Sequence, residues 1–231
     1  MEQHLMQIEH LSKQFGEGNT AVKALQDVSF TLDRGEFAAV TGESGSGKTT
    51  LLNVVGSLLK PDSGSVIVDG KDITKQSDDA CAIYRRRKIG FIFQSYNLIP
   101  VLTVEENIVL PLNLDGTRPN YTYLGELLRL TGLESKRNCF PHELSGGQQQ
   151  RVAFIRALIH KPDIILADEP TGNLDSKNSK EIIDILKDSV KQYNQTLLLI
   201  THDLTIAAQA KRVFRMEDGV LTELNGVGIP T

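Results

Sequence analysis

The stretch GESGSGKTT, Gly42 to Thr50, decides how the rest of the chain is read. It follows the apolar run FAAV (Phe37 to Val40) and precedes LLNVVGSLL (Leu51 to Leu59), so a glycine-rich turn joins a predicted strand to a predicted helix. Gly42 to Thr49 fit the phosphate-loop spacing G-x-x-x-x-G-K-[ST]. Glycine lets the backbone curl tightly enough to aim its N–H groups at an anion, and the helix N-terminus adds favourable potential. Gly42, Glu43, Ser44, Gly45, Ser46, Gly47 and Thr50 are therefore expected to cradle phosphates. Lys48 should reach the β- and γ-phosphates, and the Thr49 hydroxyl should face Mg2+.

Three more short apolar runs share the texture of FAAV: IGFIF (Ile89 to Phe93), IILA (Ile164 to Ala167) and TLLLI (Thr196 to Ile200). Continuous rather than alternating, they suit parallel strands covered on both faces by helices. Each is followed within two residues by polar groups, namely Gln94, Asp168 with Glu169, and His202. In a doubly wound sheet the carboxyl ends of strands line the ligand crevice. Two adjacent acids at such a mouth repel unless a cation or distinct protonation roles accommodate them. Asp168 is expected to hold Mg2+, directly or through water, and Glu169 to polarise the attacking water. Gln94 can bind Mg2+ or that water, and His202 can donate to the γ-phosphate or orient Glu169.

VSFTL (Val28 to Leu32) alternates at period two, and SVIVDG (Ser65 to Gly70) and RVFRMEDGVL (Arg212 to Leu221) repeat the pattern, the last as a hairpin about Asp218 and Gly219. These read as half-buried antiparallel strands. Between Gln94 and Leu158 the texture is helical. Thr103 and Glu106 form a capping-box pattern, LGELLRLTGL (Leu124 to Leu133) has a helix-spaced apolar face, and Val152, Ile155 and Ile159 share another. The expected fold class is α/β: a P-loop NTPase core with a mainly parallel sheet, an N-terminal antiparallel β subdomain, and a helical subdomain inserted at roughly residues 95–160 of a single 1–231 domain.

LSGGQQQRVAFIRAL, Leu144 to Leu158, then poses a question. Its Ser-Gly-Gly turn feeds a helix and so makes a second anion cradle. Ser145 and Gly147, on a helical insertion packed to one side, are poorly placed to share the phosphate of Lys48. A second copy arranged head to tail could bring the Ser145-Gly146-Gly147 cradle of each chain over the phosphate loop of the other, with ATP as the glue of a homodimer.

Bulk properties fit a globular chain. Of 231 residues, 40% are apolar and 23% charged, and no segment approaches the roughly 18 uninterrupted apolar residues of a membrane span. No export signal is expected from MEQHLMQIEHLSK, so the chain should be cytoplasmic. Cys81 and Cys139 lie far apart without a C-x-x-C partner, which suits a reducing compartment and argues against zinc and disulfides. A net charge of −4 gives no general pull toward nucleic acid. YRRRK (Tyr84 to Lys88) concentrates four cations as a solvated helix end or, alternatively, a surface for a partner or anionic lipid.

Together these motifs resemble one family along nearly the whole chain, the ATP-binding subunits of ABC transporters. The resemblance rests on a Walker A loop at Gly42 to Thr49, a Q-loop at Gln94, the signature LSGGQ at Leu144 to Gln148, Walker B IILADE at Ile164 to Glu169, a D-loop NLD at Asn173 to Asp175, and the switch histidine His202. It implies the ABC ATPase fold, ATP with Mg2+, the trans sandwich with Gln148 in its signature, and Asp175 at the dimer seam. Adenine would stack on Phe15, which keeps a π-face without the hydroxyl of the Tyr often found there. FQSYNLIPVLTVEENI (Phe93 to Ile108), ADEPTGNLDS (Ala167 to Ser176) and ITHDLTIAAQAKRVFRMEDG (Ile200 to Gly219) look like the ATPases of lipoprotein release, macrolide efflux and antimicrobial-peptide resistance. That subgroup implies an integral membrane permease partner with few spans and a large extracytoplasmic domain. It would place this chain on the cytoplasmic face of the membrane, and the segment after Gln94 would accept a short helix from the permease. The alternative is a regulatory ABC-type ATPase, for example of cell-division type, signalling through a membrane partner without transport.

Overall fold

The computed structural model describes residues 4–172 and 176–224, so the expectation for Asp175 lies outside the described residues. The first half of the chain runs β1 (Met6–Phe15), β2 (Val22–Leu32), β3 (Phe37–Thr41), α1 (Lys48–Val55), β4 (Ser63–Val68), β5 (Lys71–Asp72), α2 (Asp78–Lys88) and β6 (Ile89–Ile92). The second runs α3 (Val104–Leu114), α4 (Tyr121–Leu130), α5 (Gly146–Leu158), β7 (Ile164–Asp168), α6 (Ser176–Tyr193), β8 (Thr196–Ile200), α7 (Leu204–Ala207), β9 (Arg212–Glu217) and β10 (Val220–Glu223). Among the described residues these strands form an antiparallel sheet of order β2-β1-β4-β5 and a larger sheet of order β10-β9-β3-β8-β7-β6.

The continuous apolar runs are the parallel strands of the larger sheet, with β6, β7, β8 and β3 paired in that sequence. Successive side chains on a strand point to opposite faces. Ile165, Ala167, Leu197 and Leu199 accordingly join one core with α3, α4, α5 and α6, while Ile164, Leu166, Leu198 and Ile200 join another with α1 and the antiparallel sheet. Both faces are covered, so every residue of β7 and β8 is buried.

RVFRME differs from expectation. β9 pairs antiparallel with β10 but parallel with β3, as a member of the core sheet rather than an antiparallel element apart from it. It lies beside the edge strand, where one face still meets water. Arg215 and Glu217 are exposed there while Phe214 and Met216 are buried, so alternation survives in a parallel strand.

Residues between β6 and β7 are helical as expected, and the capping box of α3 forms between Thr103 and Glu106. α4 begins earlier than its apolar face suggested, because the Asn120 side chain accepts from the Tyr123 N–H and caps it. It ends at Leu130, where the Thr131 hydroxyl turns back to Leu127 O and Gly132 takes φ +66°.

The basic cluster closes α2 and is engaged within the chain. Arg85 donates to Ser57 O, Arg86 and Arg87 both grip Asp115, and Lys88 pairs with Asp163. The Arg87 hydrogen bond, helped by Arg86, lowers the Asp115 carboxyl below its usual range. These cations also complement the C-terminal end of the helix dipole.

Candidate functional site

The phosphate loop is forced by two glycines. Gly42 has φ +150° and a Cβ there would stand 2.2 Å from Met216 O, while Gly47 has φ +108° and its Cβ would stand 2.1 Å from Ala24 O. Both conformation and close backbone approach therefore exclude any side chain. Gly47 caps α1 without a side-chain hydrogen bond, which turns the first N–H groups of the helix into the loop.

That loop opens on a cleft of about 510 Å³. Ser44, Gly45, Lys48, Thr49 and Thr50 line it together with Gly42 and Gly47, and Gln94, Asp168, Glu169 and His202 reach it from three other strand ends. Four strand ends thus deliver their polar groups to one place. Glu43 and Ser46 line an adjoining cleft rather than this one. Phe15, 44% exposed, forms an apolar wall with Val22 and Ala24. Val22 and Ala24 carry no motif, and only the pairing of Phe15 with Val22 across β1 and β2 brings Val22 into the cleft.

Lys48 Nζ donates to Gly42 O at 2.8 Å and Glu43 O at 2.5 Å, which holds the cation over the loop. The Thr49 hydroxyl donates to Asp168 Oδ2 at 2.8 Å. Burial raises the Asp168 carboxyl above its usual range. The Thr49 hydrogen bond opposes that rise, Glu169 reinforces it, and Lys48 opposes it. A divalent cation would relieve this penalty, and the two facing oxygens fit Mg2+, which takes few protein ligands and completes its shell with water and phosphate. Among the described residues no cluster of three or more His, Cys, Asp and Glu forms a metal cage.

His202 Nδ1 lies 2.8 Å from Glu169 Oε2, and because a carboxylate only accepts, the ring N–H is the donor. This contact supports orientation of Glu169, one of the two roles expected of His202. Glu169 itself sits in the left-handed region at φ +45°, uncommon for a residue with a side chain. Its N–H donates to Ile200 O at 3.0 Å and its carbonyl accepts from Gly172 N–H at 3.1 Å.

The second cradle stands apart. Ser145 caps α5 in a capping box, its hydroxyl accepting from Gln148 N–H while Gln148 Oε1 accepts from Ser145 N–H. Gly146 and Gly147 N–H have no partner among the described residues, and Ser145 and Gly146 are exposed. None of Ser145 to Gln148 lines the cleft of Lys48. Tyr96 and Arg156, which the sequence reading missed, tie α5 to the segment after Gln94. Arg156 donates to Tyr96 O and Asn97 O, and the Tyr96 hydroxyl stands over Gly146.

Residues 25–172 match the profile of a family described as ABC transporter. The chain is 41% identical over 220 residues to the ABC transporter ATP-binding protein YxdL of Bacillus subtilis, covering 94% of this chain and 85% of that protein. It is 41% identical to the macrolide export ATP-binding/permease protein MacB of Mannheimia succiniciproducens over 95% of this chain, which spans only 34% of MacB. Among solved structures, the dimer of MJ0796, a bacterial ABC transporter cassette, superposes with a TM-score of 0.88 at 40% identity, over 96% of this chain and 99% of that one. A dimeric post-hydrolysis state of MJ0796 bound to ADP and Pi matches with the same TM-score at 39% identity.

Proposed function

The chain belongs to the ABC transporter ATP-binding family, the ATP-hydrolysing motor subunits of transporters, and from that premise we propose that its head-to-tail dimerisation on ATP drives a separate membrane permease. The cargo is a lipoprotein, peptide or drug that is exported or extracted outside the membrane. The observation that carries this reading is the separation of the two cradles: Gln94, Asp168, Glu169 and His202 line the Lys48 cleft, whereas none of Ser145 to Gln148 does, and the Gly146 and Gly147 N–H groups have no partner among the described residues. A second chain supplies the missing cradle. In the dimer the Gly146 and Gly147 N–H groups of one protomer meet the γ-phosphate held by Lys48 of its partner.

Phe15 stacks on adenine, and the backbone of Gly42 to Thr50 and the Lys48 ammonium bind the phosphates. Thr49, Asp168 and Gln94 would hold Mg2+, which would supply charge neutralisation at the phosphate oxygens. Glu169, oriented by His202, accepts a proton from water as that water forms its bond to the γ-phosphorus. The bond from that phosphorus to the bridging oxygen breaks, ADP and phosphate leave, and the dimer opens.

A groove of about 460 Å³ flanks the segment after Gln94, with Phe91, Phe93, Pro111 and Leu114 on its walls. It offers an apolar seat for a short permease helix, and Arg156 connects it to α5. Among the described residues no helix is long and apolar enough to cross a membrane; on this reading the chain attaches peripherally to the cytoplasmic face through that permease. Residues between β6 and β7, roughly 95–160, act as the moving helical subdomain of one ATP-binding domain. The test is purification of the Glu169→Gln chain from native membranes in mild detergent with ATP. Recovery of a permease with few spans and a large external domain is expected. Recovery of division proteins, ribosomes or DNA in its place would move the reading to a regulatory ATPase.

A further inference from the structure

Gln150 lies inside α5 and is 2% exposed. Its Nε2 donates to Pro170 O at 2.8 Å, while its Oε1 has no partner among the described residues. A buried amide satisfied on one side only adds little net stability, because the unpaired oxygen keeps its desolvation cost. Packing alone is served better by Leu or Met of similar volume. The hydrogen bond it does make falls on the peptide carbonyl immediately after Glu169. Glu169 occupies a left-handed conformation at φ +45°, and such a conformation persists only where its surroundings over-determine it. Ile200 O and Gly172 N–H hold its two backbone groups, and both lie on the sheet side or in the same turn. Gln150 is the tie that comes from α5, one turn after the Ser145 cap.

We infer that Gln150 is a positioning residue for ATP hydrolysis: through Pro170 O it fixes the backbone that aims the Glu169 carboxylate, and so couples that aim to the seating of α5. This rests on Glu169 as the base. Because α5 also carries Ser145 to Gly147, a shift of the helix when its cradle meets a phosphate is transmitted to Glu169 by one hydrogen bond. A misplacement of the carboxylate on the order of 1 Å is enough for a rate loss approaching 10²-fold.

The test compares Gln150→Met, Gln150→Glu and Glu169→Gln in the full chain, reading kcat, KM for MgATP, affinity for a fluorescent ATP analogue, and Tm. Gln150→Met should lower kcat by about 10- to 10²-fold with KM and affinity within about twofold of wild type. Gln150→Glu reverses the donor: ionised, it opposes Pro170 O; protonated, it donates to it. Its kcat relative to wild type should therefore rise as pH falls with KM and analogue affinity unchanged, whereas a buried charge that only loosened the packing would move affinity and Tm along with kcat; this split decides the matter even if the Met variant does not fold. Wild-type kcat in Gln150→Met, a fall in kcat matched by loss of nucleotide affinity and Tm, or a Gln150→Glu pH profile parallel to wild type would overturn the inference while leaving Glu169 untouched. Normal hydrolysis by Glu169→Gln would overturn both.

Discussion

The N-terminus of α1 is capped by Gly47 in the left-handed region, and that of α5 by Ser145 through a side-chain capping box. The first lies in a cleft ringed by Asp168, Glu169, Gln94 and His202 and the second on exposed surface. At Gly42 and Gly47 a side chain would strike backbone carbonyls from other elements. At Gly146 the nearest atom to an added Cβ is the Tyr96 hydroxyl, the tip of a side chain. The glycines of the phosphate loop are thus built into the fold of their own chain, whereas at Gly146 only a side-chain tip stands over the start of α5.

The largest expected effects separate the two termini by what each variant loses. Lys48→Ala and Ser145→Arg should each lower hydrolysis on the order of 10²- to 10³-fold, as for loss of other preorganised charge-stabilising groups. Only Lys48→Ala should also lose binding of a fluorescent ATP analogue; equal loss in both would erase the distinction. Glu169→Gln should lose hydrolysis to a similar degree and accumulate as an ATP-bound dimer by light scattering, and a monomer with ATP would break the link between hydrolysis and opening. Smaller effects follow for the glycines. Gly47→Ala should cost at least about 1 kcal/mol in denaturant unfolding, because neither its φ nor Ala24 O can give way. Gly146→Ala should stay within about 0.5 kcal/mol.

Much of this contrast is legible in the sequence because it depends on local spacing. The phosphate loop, the acids after IILA and the capping box of α5 are each set within a few residues, and the four strand ends converge because continuous apolar runs dictate parallel pairing. Val22 in the nucleotide wall comes from the register of β1 on β2. Gln150 and Arg156 act on carbonyls 20 and about 60 residues away in sequence, and a polar residue inside an amphipathic helix gives no sign of such a target. The parallel pairing of β9 was hidden for a different reason, since a strand beside the sheet edge keeps the alternation of an antiparallel one.

The smallest expected effect concerns the acid side of the α1 cleft. Burial raises the Asp168 carboxyl in the folded state, so its charge opposes folding above that raised value, and the penalty fades as pH falls and the folded chain takes up the proton first. Asp168→Asn should therefore raise the Tm of nucleotide-free protein at neutral pH. The gain should shrink as pH approaches the ordinary carboxylate range, and a gain constant with pH would mean that burial of the charge is not its source.

The most direct test mixes Ser145→Arg chains with Lys48→Ala chains. In a head-to-tail dimer, one composite site then joins an intact Lys48 loop to an intact Ser145 cradle, while the other site carries both lesions. Hydrolysis that is absent from either variant alone and returns on mixing is the predicted result. Mixed chains that fold, associate and still hydrolyse no ATP would contradict the account.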